Sequence, residues 1–192
     1  MTGRLGRRFE RLGHAIRRRP LTAGLALTAA LCLVSIAFFD VRLAFAQREW
    51  RDSDAVAFFR VITDIAWGLP WILLSAAVAA GFWAASRDRL LAHARPRFRR
   101  YARAGAYALS TLLVAGASLH VLKLAFGRWR PRNLHQEGAE TGFSLLAFST
   151  SANSFPSGHA QVSMTVATIL VVLLPRYDLA WIACGLLVAF SR

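Results

Sequence analysis

Apolar residues gather in long blocks along this chain, not at the alternating spacing of a half-buried soluble helix or strand. Leu21–Phe39 is 19 residues without a charge, and Trp67–Ser86 and Ala104–Leu122 are similar blocks. Each is about the 20 residues that a helix needs to cross roughly 30 Å of hydrocarbon. Ala160–Leu174 and Leu179–Phe190 are shorter, and the Pro175–Asp178 link between them allows only a tight helical hairpin. These five blocks predict an all-α integral membrane protein, a bundle of about five transmembrane helices. Val41–Asp64 mixes charges with Ala55, Phe58, Phe59 and Ile62 at helical spacing. It reads either as an interfacial helix on the outer face or as a solvated loop helix. No repeat or low-complexity segment is visible.

Composition agrees with a membrane protein. Hydrophobic residues make up 56% of the chain and mean hydropathy is +0.41, too apolar for an ordinary soluble domain. The formal net charge is +14, from 24 Lys and Arg against 10 acids. Such a balance suits nucleic acid or an anionic membrane surface, but here the arginines flank apolar blocks, so the membrane is preferred and no nucleic-acid partner is expected. Arg4, Arg7, Arg8, Arg11, Arg17, Arg18 and Arg19 precede the first block, and Arg87, Arg89, Arg95, Arg97, Arg99, Arg100 and Arg103 follow the second. By the positive-inside rule the N-terminus and the 87–103 link are cytoplasmic. Alternation then places Gly127–Gly158 outside, Arg176 inside and Ser191-Arg192 outside. Residues 1–20 read as a basic cytoplasmic segment and 21–192 as the membrane domain. Ala44-Phe45-Ala46 resembles a signal-peptidase site, but the apolar stretch before it is long for a signal peptide and Asp40 and Arg42 intervene. Cys32 and Cys184 lie in apolar blocks without metal or redox spacing and read as small buried hydrophobes.

The candidate chemistry lies at the outer ends of these blocks. Lys123, the single lysine, ends the third block; an ionisable group at that depth is costly and usually serves a purpose. Arg130 follows two helical turns later, and Pro131 disfavours helix at Arg130, so the helix is expected to fray near Trp129. Two cations held close repel unless an anion bridges them; Arg offers a planar fork for phosphate oxygens and Lys a mobile point charge. Phe155-Pro156-Ser157-Gly158-His159 opens the next apolar run, with Pro156 suited to the first position of a helix. Leading helix amides make an anion cradle, Gly158 admits close approach, and the Ser157 hydroxyl can donate to a phosphate oxygen. His159 titrates in the range that suits proton transfer to a leaving oxygen. His120, one turn before Lys123, reads as a packing or polar-core residue.

Lys123-x6-Arg130-Pro131 and Pro156-Ser157-Gly158-His159 resemble, in order and spacing, the first two signature motifs of the type-2 phosphatidic acid phosphatase family. That family includes membrane lipid phosphatases, undecaprenyl diphosphate phosphatases and lipid A phosphatases. Its third motif opens with Ser-Arg and continues to a histidine and an aspartate; Ser191-Arg192 matches the opening. The resemblance implies that Lys123, Arg130, Ser157, Gly158 and Arg192 bind phosphate oxygens and that His159 protonates the leaving group. It implies six spanning helices and a third-motif histidine nucleophile, which would fall six residues beyond Arg192. The expectation is therefore of a chain incomplete within its third motif and inactive by itself. No metal or other cofactor is required, because fixed cations can supply the charge stabilisation.

The reading is hydrolysis of phosphate or diphosphate esters of membrane lipids at the outer face of a bacterial plasma membrane. The alternative is a membrane protein that binds or carries an anionic lipid without cleaving it. The substrate lipid and the oligomeric state are not legible. Residues 132–155 are expected to dip into the outer leaflet and gate headgroup access, or else to form a plain surface turn. The topology predicts that, in a variant lacking Cys32 and Cys184, a cysteine at Glu137 reacts with a membrane-impermeant thiol reagent in intact cells. A cysteine at Arg89 should react only after permeabilisation, and the reverse pattern would overturn the orientation.

Overall fold

The computed structural model describes residues 18–38, 54–128, 146 and 154–191. They divide between two compact units, Met1–Asp52 and Ser53–Arg192. All regular structure among the described residues is helical. The first unit contributes α1, Pro20–Phe38, which is apolar around its whole circumference. Its first turn is anchored by the Thr22 hydroxyl, which donates to the Arg19 carbonyl at 3.0 Å.

The second unit holds α2 (Asp54–Asp64), α3 (Gly68–Ala85), α4 (Arg95–Phe126), α5 (Gly158–Leu173) and α6 (Asp178–Phe190). Short 3-10 turns at Ala92–Ala94 and Pro175–Tyr177 lead into α4 and α6. α3 packs along α4, α4 against α5, α5 against α6, and α2 reaches α6. The short Pro175–Tyr177 link thus joins a helical hairpin, as its length requires.

Two stretches, Val61–Ala85 and Ala92–Phe126, are long and apolar enough to cross a membrane; Pro20–Ser35 and Gly158–Leu173 are shorter apolar helices. α4 is longer than its apolar block. Pro96 near its start is compatible with helix because the first amides lack intrahelical partners anyway, so the arginines of the expected link continue into helix. α6 has 13 residues, which spans only about 20 Å.

The bundle turns much of its apolar surface outward. Leu73, Leu74, Leu113, Val114 and Phe190 are exposed, whereas Thr63, Ser75, Ser86 and Ser163 are buried. Large apolar surface facing outward is the pattern of helices solvated by lipid. It also corrects the reading of the cysteines: both are free thiols, Cys184 is exposed on α6 and Cys32 is only partly covered. In an apolar solvent a small hydrophobe has no need to turn inward.

Small residues set the helix spacing. A methyl group at Gly105 on α4 would stand 2.6 Å from the Ala79 amide nitrogen of α3. At Gly185 on α6 it would stand 2.7 Å from the Ala167 methyl of α5. Close backbone approach of this kind supplies dispersion contact where hydrophobic burial has no driving force. Ala108, Leu112 and Ile169 form the buried cluster beside these contacts, with Trp71, Ile72 and Val166 packed on it. α2 is joined to the same unit. The Phe59 ring meets Phe190 at 6.4 Å, and the Thr63 and Ser191 hydroxyls share a hydrogen bond of 2.5 Å. α2 is therefore packed on the end of α6.

Gly105→Ala should destabilise the protein by about 1–3 kcal/mol through overpacking. Gly81→Ala, where no atom lies within 4 Å of the added methyl, should be neutral or stabilising by up to about 1 kcal/mol. Thermal unfolding of the two variants in detergent checks this, and equal effects would refute the close contact.

Candidate phosphate site

The C-terminal end of α4 is fixed by Gly127. It adopts the left-handed conformation (φ 50°, ψ 46°), and its amide donates to the Lys123 carbonyl at 2.9 Å. Glycine takes that conformation without the steric cost a side chain meets. The helix therefore stops at Phe126, earlier than the fraying expected near Trp129. Arg130 itself lies outside the described residues, as do Arg192 and most of 132–155.

The turn before α5 also differs from the sequence expectation. α5 begins at Gly158, with Ser157 in extended conformation as its N-cap (φ −70°, ψ 124°). Pro156, joined to Phe155 by a cis peptide, stands one residue before the cap instead of at the first helical position. The Ser157 carbonyl receives the Gln161 amide at 3.1 Å, and its hydroxyl oxygen accepts from the Ala160 amide at 3.4 Å. Serine is favoured there because its oxygen satisfies a leading amide. The cap uses a lone pair of the hydroxyl and leaves its hydrogen for another acceptor.

Two contacts hold this turn against the end of α4. The Phe126 and Phe155 rings meet edge to face at 5.7 Å, and the Ser154 amide donates to the Arg128 carbonyl at 3.1 Å. The result is an open cavity of about 670 Å³ between the ends of α3, α4 and α5. Lys123 and His120 line it from α4; Ser157, Gly158, His159 and Gln161 line it from the start of α5. Lys123, Ser157, Gly158 and His159 are each partly buried. Trp67, Leu69, Ile72, Leu112 and Val162 form an apolar wall. The turn that carries Trp67 is closed by the Trp67 amide on the Asp64 carbonyl and by the Trp71 indole on the Ile65 carbonyl at 2.7 Å.

Four of the six site residues named from sequence thus share one cavity. His120 does not pack inside the bundle as expected. It is exposed on the cavity wall, and its i, i+3 spacing to Lys123 is the signal that put both on one helix face. Gln161 and Trp67 were missed altogether; Gln161 follows His159 by two residues and carried no motif signal. Its amide donates to the Thr165 hydroxyl at 3.0 Å.

Electrostatically, the leading turn of α5 supplies about half a positive charge and Lys123 a whole one, so Lys123 is the stronger attractor for an anion. Such fixed positive groups, with a histidine beside them and an apolar wall opposite, fit a phosphate joined to a hydrophobic group. Among the described residues no group of three or more His, Cys, Asp or Glu gathers to hold a metal ion.

Comparison with known proteins gives a consistent picture. Residues 104–192 match the PAP2 superfamily. Over 174 residues the chain is 29% identical to a protein named lipid A 1-phosphatase from Rhizobium etli, covering 88% of this chain and 72% of that one. A protein of the same name from Rhizobium johnstonii is 28% identical over 192 residues, covering 98% of this chain and 75% of the relative. No solved structure matches.

A methyl added at Gly158 would come no nearer than 3.7 Å to Leu119, an ordinary van der Waals distance. Gly158→Ala should therefore leave the unfolding temperature of the full-length protein unchanged yet lower its phosphate release at least about tenfold, the scale of a displaced ligand contact. Unimpaired release would show that no ligand approaches that backbone.

Proposed function

We propose, on the premise that residues 104–192 belong to the PAP2 superfamily, that this protein hydrolyses the phosphate ester of a membrane lipid held in the cavity between α3, α4 and α5. The observation that carries the reading is that cavity itself, shared by Lys123 and the Ser157–His159 turn. Both relatives are named lipid A 1-phosphatases, so the sugar-linked phosphate of lipid A is the first substrate to test. The apolar wall favours an amphiphile over a soluble phosphate ester, because it gives the lipid-proximal part of the substrate a matching surface.

In this mechanism Lys123 meets the phosphoryl oxygens with its ammonium group. The Ser157 hydroxyl and the Gly158 amide donate to the same oxygens, and Arg130 and Arg192 join them. These cations and dipoles stabilise the charge that builds on the phosphoryl group as it transfers. His159, in the first turn of α5, gives its proton to the departing oxygen of the lipid. The family resemblance assigns the attack to a third-motif histidine. The mechanism then runs through a phosphohistidine that water hydrolyses. The reaction takes place at the outer face of the bacterial inner membrane, in a multi-pass protein with a cytoplasmic N-terminus.

The test is phosphate release from lipid A by the full-length protein in detergent, with a chelator present. Wild type should release phosphate, and Lys123→Ala should lower the rate by about 10²-fold or more, the usual scale for losing a transition-state charge contact, while helical content is kept. Release at the wild-type rate from Lys123→Ala would sink the site. Tight binding of lipid A without any release by wild type would support the carrier instead.

A further inference from the structure

The arginines around the start of α4 do more than mark topology. A second cavity of about 700 Å³ lies between the C-terminal end of α3 and the first turns of α4. Arg87, Arg99 and Arg103 line it together with Trp83. Arg99, Ala102, Arg103 and Ala106 form one face of α4 at helical spacing. The alanines on that face leave the space that the two guanidinium groups border.

The arginines are partly set in place. The Arg87 guanidinium lies 4.0 Å from the centre of the Trp83 ring, a cation–π contact that holds a planar group flat. Arg103 Nε donates to the Arg99 carbonyl at 3.3 Å. No carboxylate lines the cavity, and Asp88, the nearest acid in sequence, accepts the Leu90 amide at 2.9 Å. Among the described residues no ion pair joins Arg87, Arg99 or Arg103 to an acid. Three like charges around one hollow repel one another, and an anion within it relieves that repulsion.

This cavity is distinct from the one at Lys123. From Arg99 to Lys123 along α4 is 24 residues, about 36 Å at 1.5 Å each, more than the roughly 30 Å of bilayer hydrocarbon. The two therefore lie toward opposite membrane faces. A tryptophan beside arginines is the composition of a membrane–water interface, where basic pockets between helices take anionic headgroups.

We propose that Arg87, Arg99 and Arg103 form a second binding site, for a phosphate-bearing anion, supplied in the bilayer by the headgroup of an anionic phospholipid. The site needs neither the hydrolytic reaction nor the residues of the first cavity. Full-length protein is equilibrated with phosphatidylcholine vesicles containing phosphatidylglycerol, stripped of loose lipid, and its retained lipid weighed by mass spectrometry. Wild type should retain phosphatidylglycerol in preference to phosphatidylcholine. Among the described residues the Arg99 side chain makes no hydrogen bond or ion pair, its carbonyl alone being bonded, so Arg99→Gln should fold normally and lower retention about five-fold. The Arg87→Gln/Arg99→Gln/Arg103→Gln variant should lower it roughly 100-fold. Arg97→Gln, at an exposed arginine that lines neither cavity, should retain lipid as wild type does. Failure of excess inorganic phosphate to displace the lipid assigns the site to the headgroup, whereas displacement assigns the same chemistry to the free ion. Wild-type retention by Arg99→Gln and the triple variant, or an equal loss of retention in Arg97→Gln, would overturn the proposal.

Discussion

The structure of the first cavity depends on the clasp between the end of α4 and the turn before α5. Lys123 and Ser157 are separated by a long connection, and closing such a loop costs entropy that grows slowly with its length. The Phe126–Phe155 ring contact, the bond from the Ser154 amide to the Arg128 carbonyl and the left-handed turn at Gly127 offset that cost locally. An edge-to-face aromatic pair adds about 0.5–1.5 kcal/mol beyond its buried area. That is enough to fix the orientation of one helix end against another when each is already rigid. A cation and a helix N-terminus repel each other, so nothing in the charges themselves would bring Lys123 to the start of α5. Packing does it.

Helix packing explains why there is room for such cavities. The buried residues of the second unit are mostly small, such as Ala66, Ala108 and Ala167. Gly105 and Gly185 sit where a neighbouring helix leaves no room for a methyl group. Helices that touch at glycine spread elsewhere, because the side chains on either side hold them apart. On α4 the Ala108–Leu112 region fills the middle, and the first cavity opens beyond it toward Lys123 while the second opens before it toward Arg99. One long helix thus presents a different polar surface at each end of an apolar span.

Much of this was legible in the sequence because membrane helices are written in runs. The blocks at 21–39, 67–86 and 160–174 agree with α1, α3 and α5 to within about two residues, the usual uncertainty of helix ends. Where the reading failed, a single residue decided. Gly127 ended α4 early, and a glycine just past the last periodic residue was the signal. Ser157 took the cap that Pro156 had been expected to fall beyond, since a serine oxygen satisfies an amide and a proline cannot. The membership of Lys123, Ser157, Gly158 and His159 in one neighbourhood was implied by the family resemblance and by the alternation of spans across the membrane. The joining of His120, Gln161 and Trp67 to them did not. That depends on how three helices meet, which no local pattern encodes. The arginines at 87–103 were read by charge alone, and the cavity they border emerged only from the pairing of α3 with α4.

The two cavities differ in what their side chains can do once an anion is present. Arginine stays protonated at any physiological pH, so a hollow bordered by Arg87, Arg99 and Arg103 can attract and orient a phosphate but cannot exchange a proton with it. The Lys123 cavity adds the imidazoles of His159 and His120, which can donate a hydrogen to an oxygen or accept one. Breaking a phosphate ester requires the departing oxygen to be protonated or otherwise stabilised. Of the two cavities, only that at Lys123 offers a side chain suited to donating that proton. Positive charge at both ends of α4 therefore does not make equal sites. The imidazoles, more than the cations, distinguish the cavity at α5, where hydrolysis is proposed.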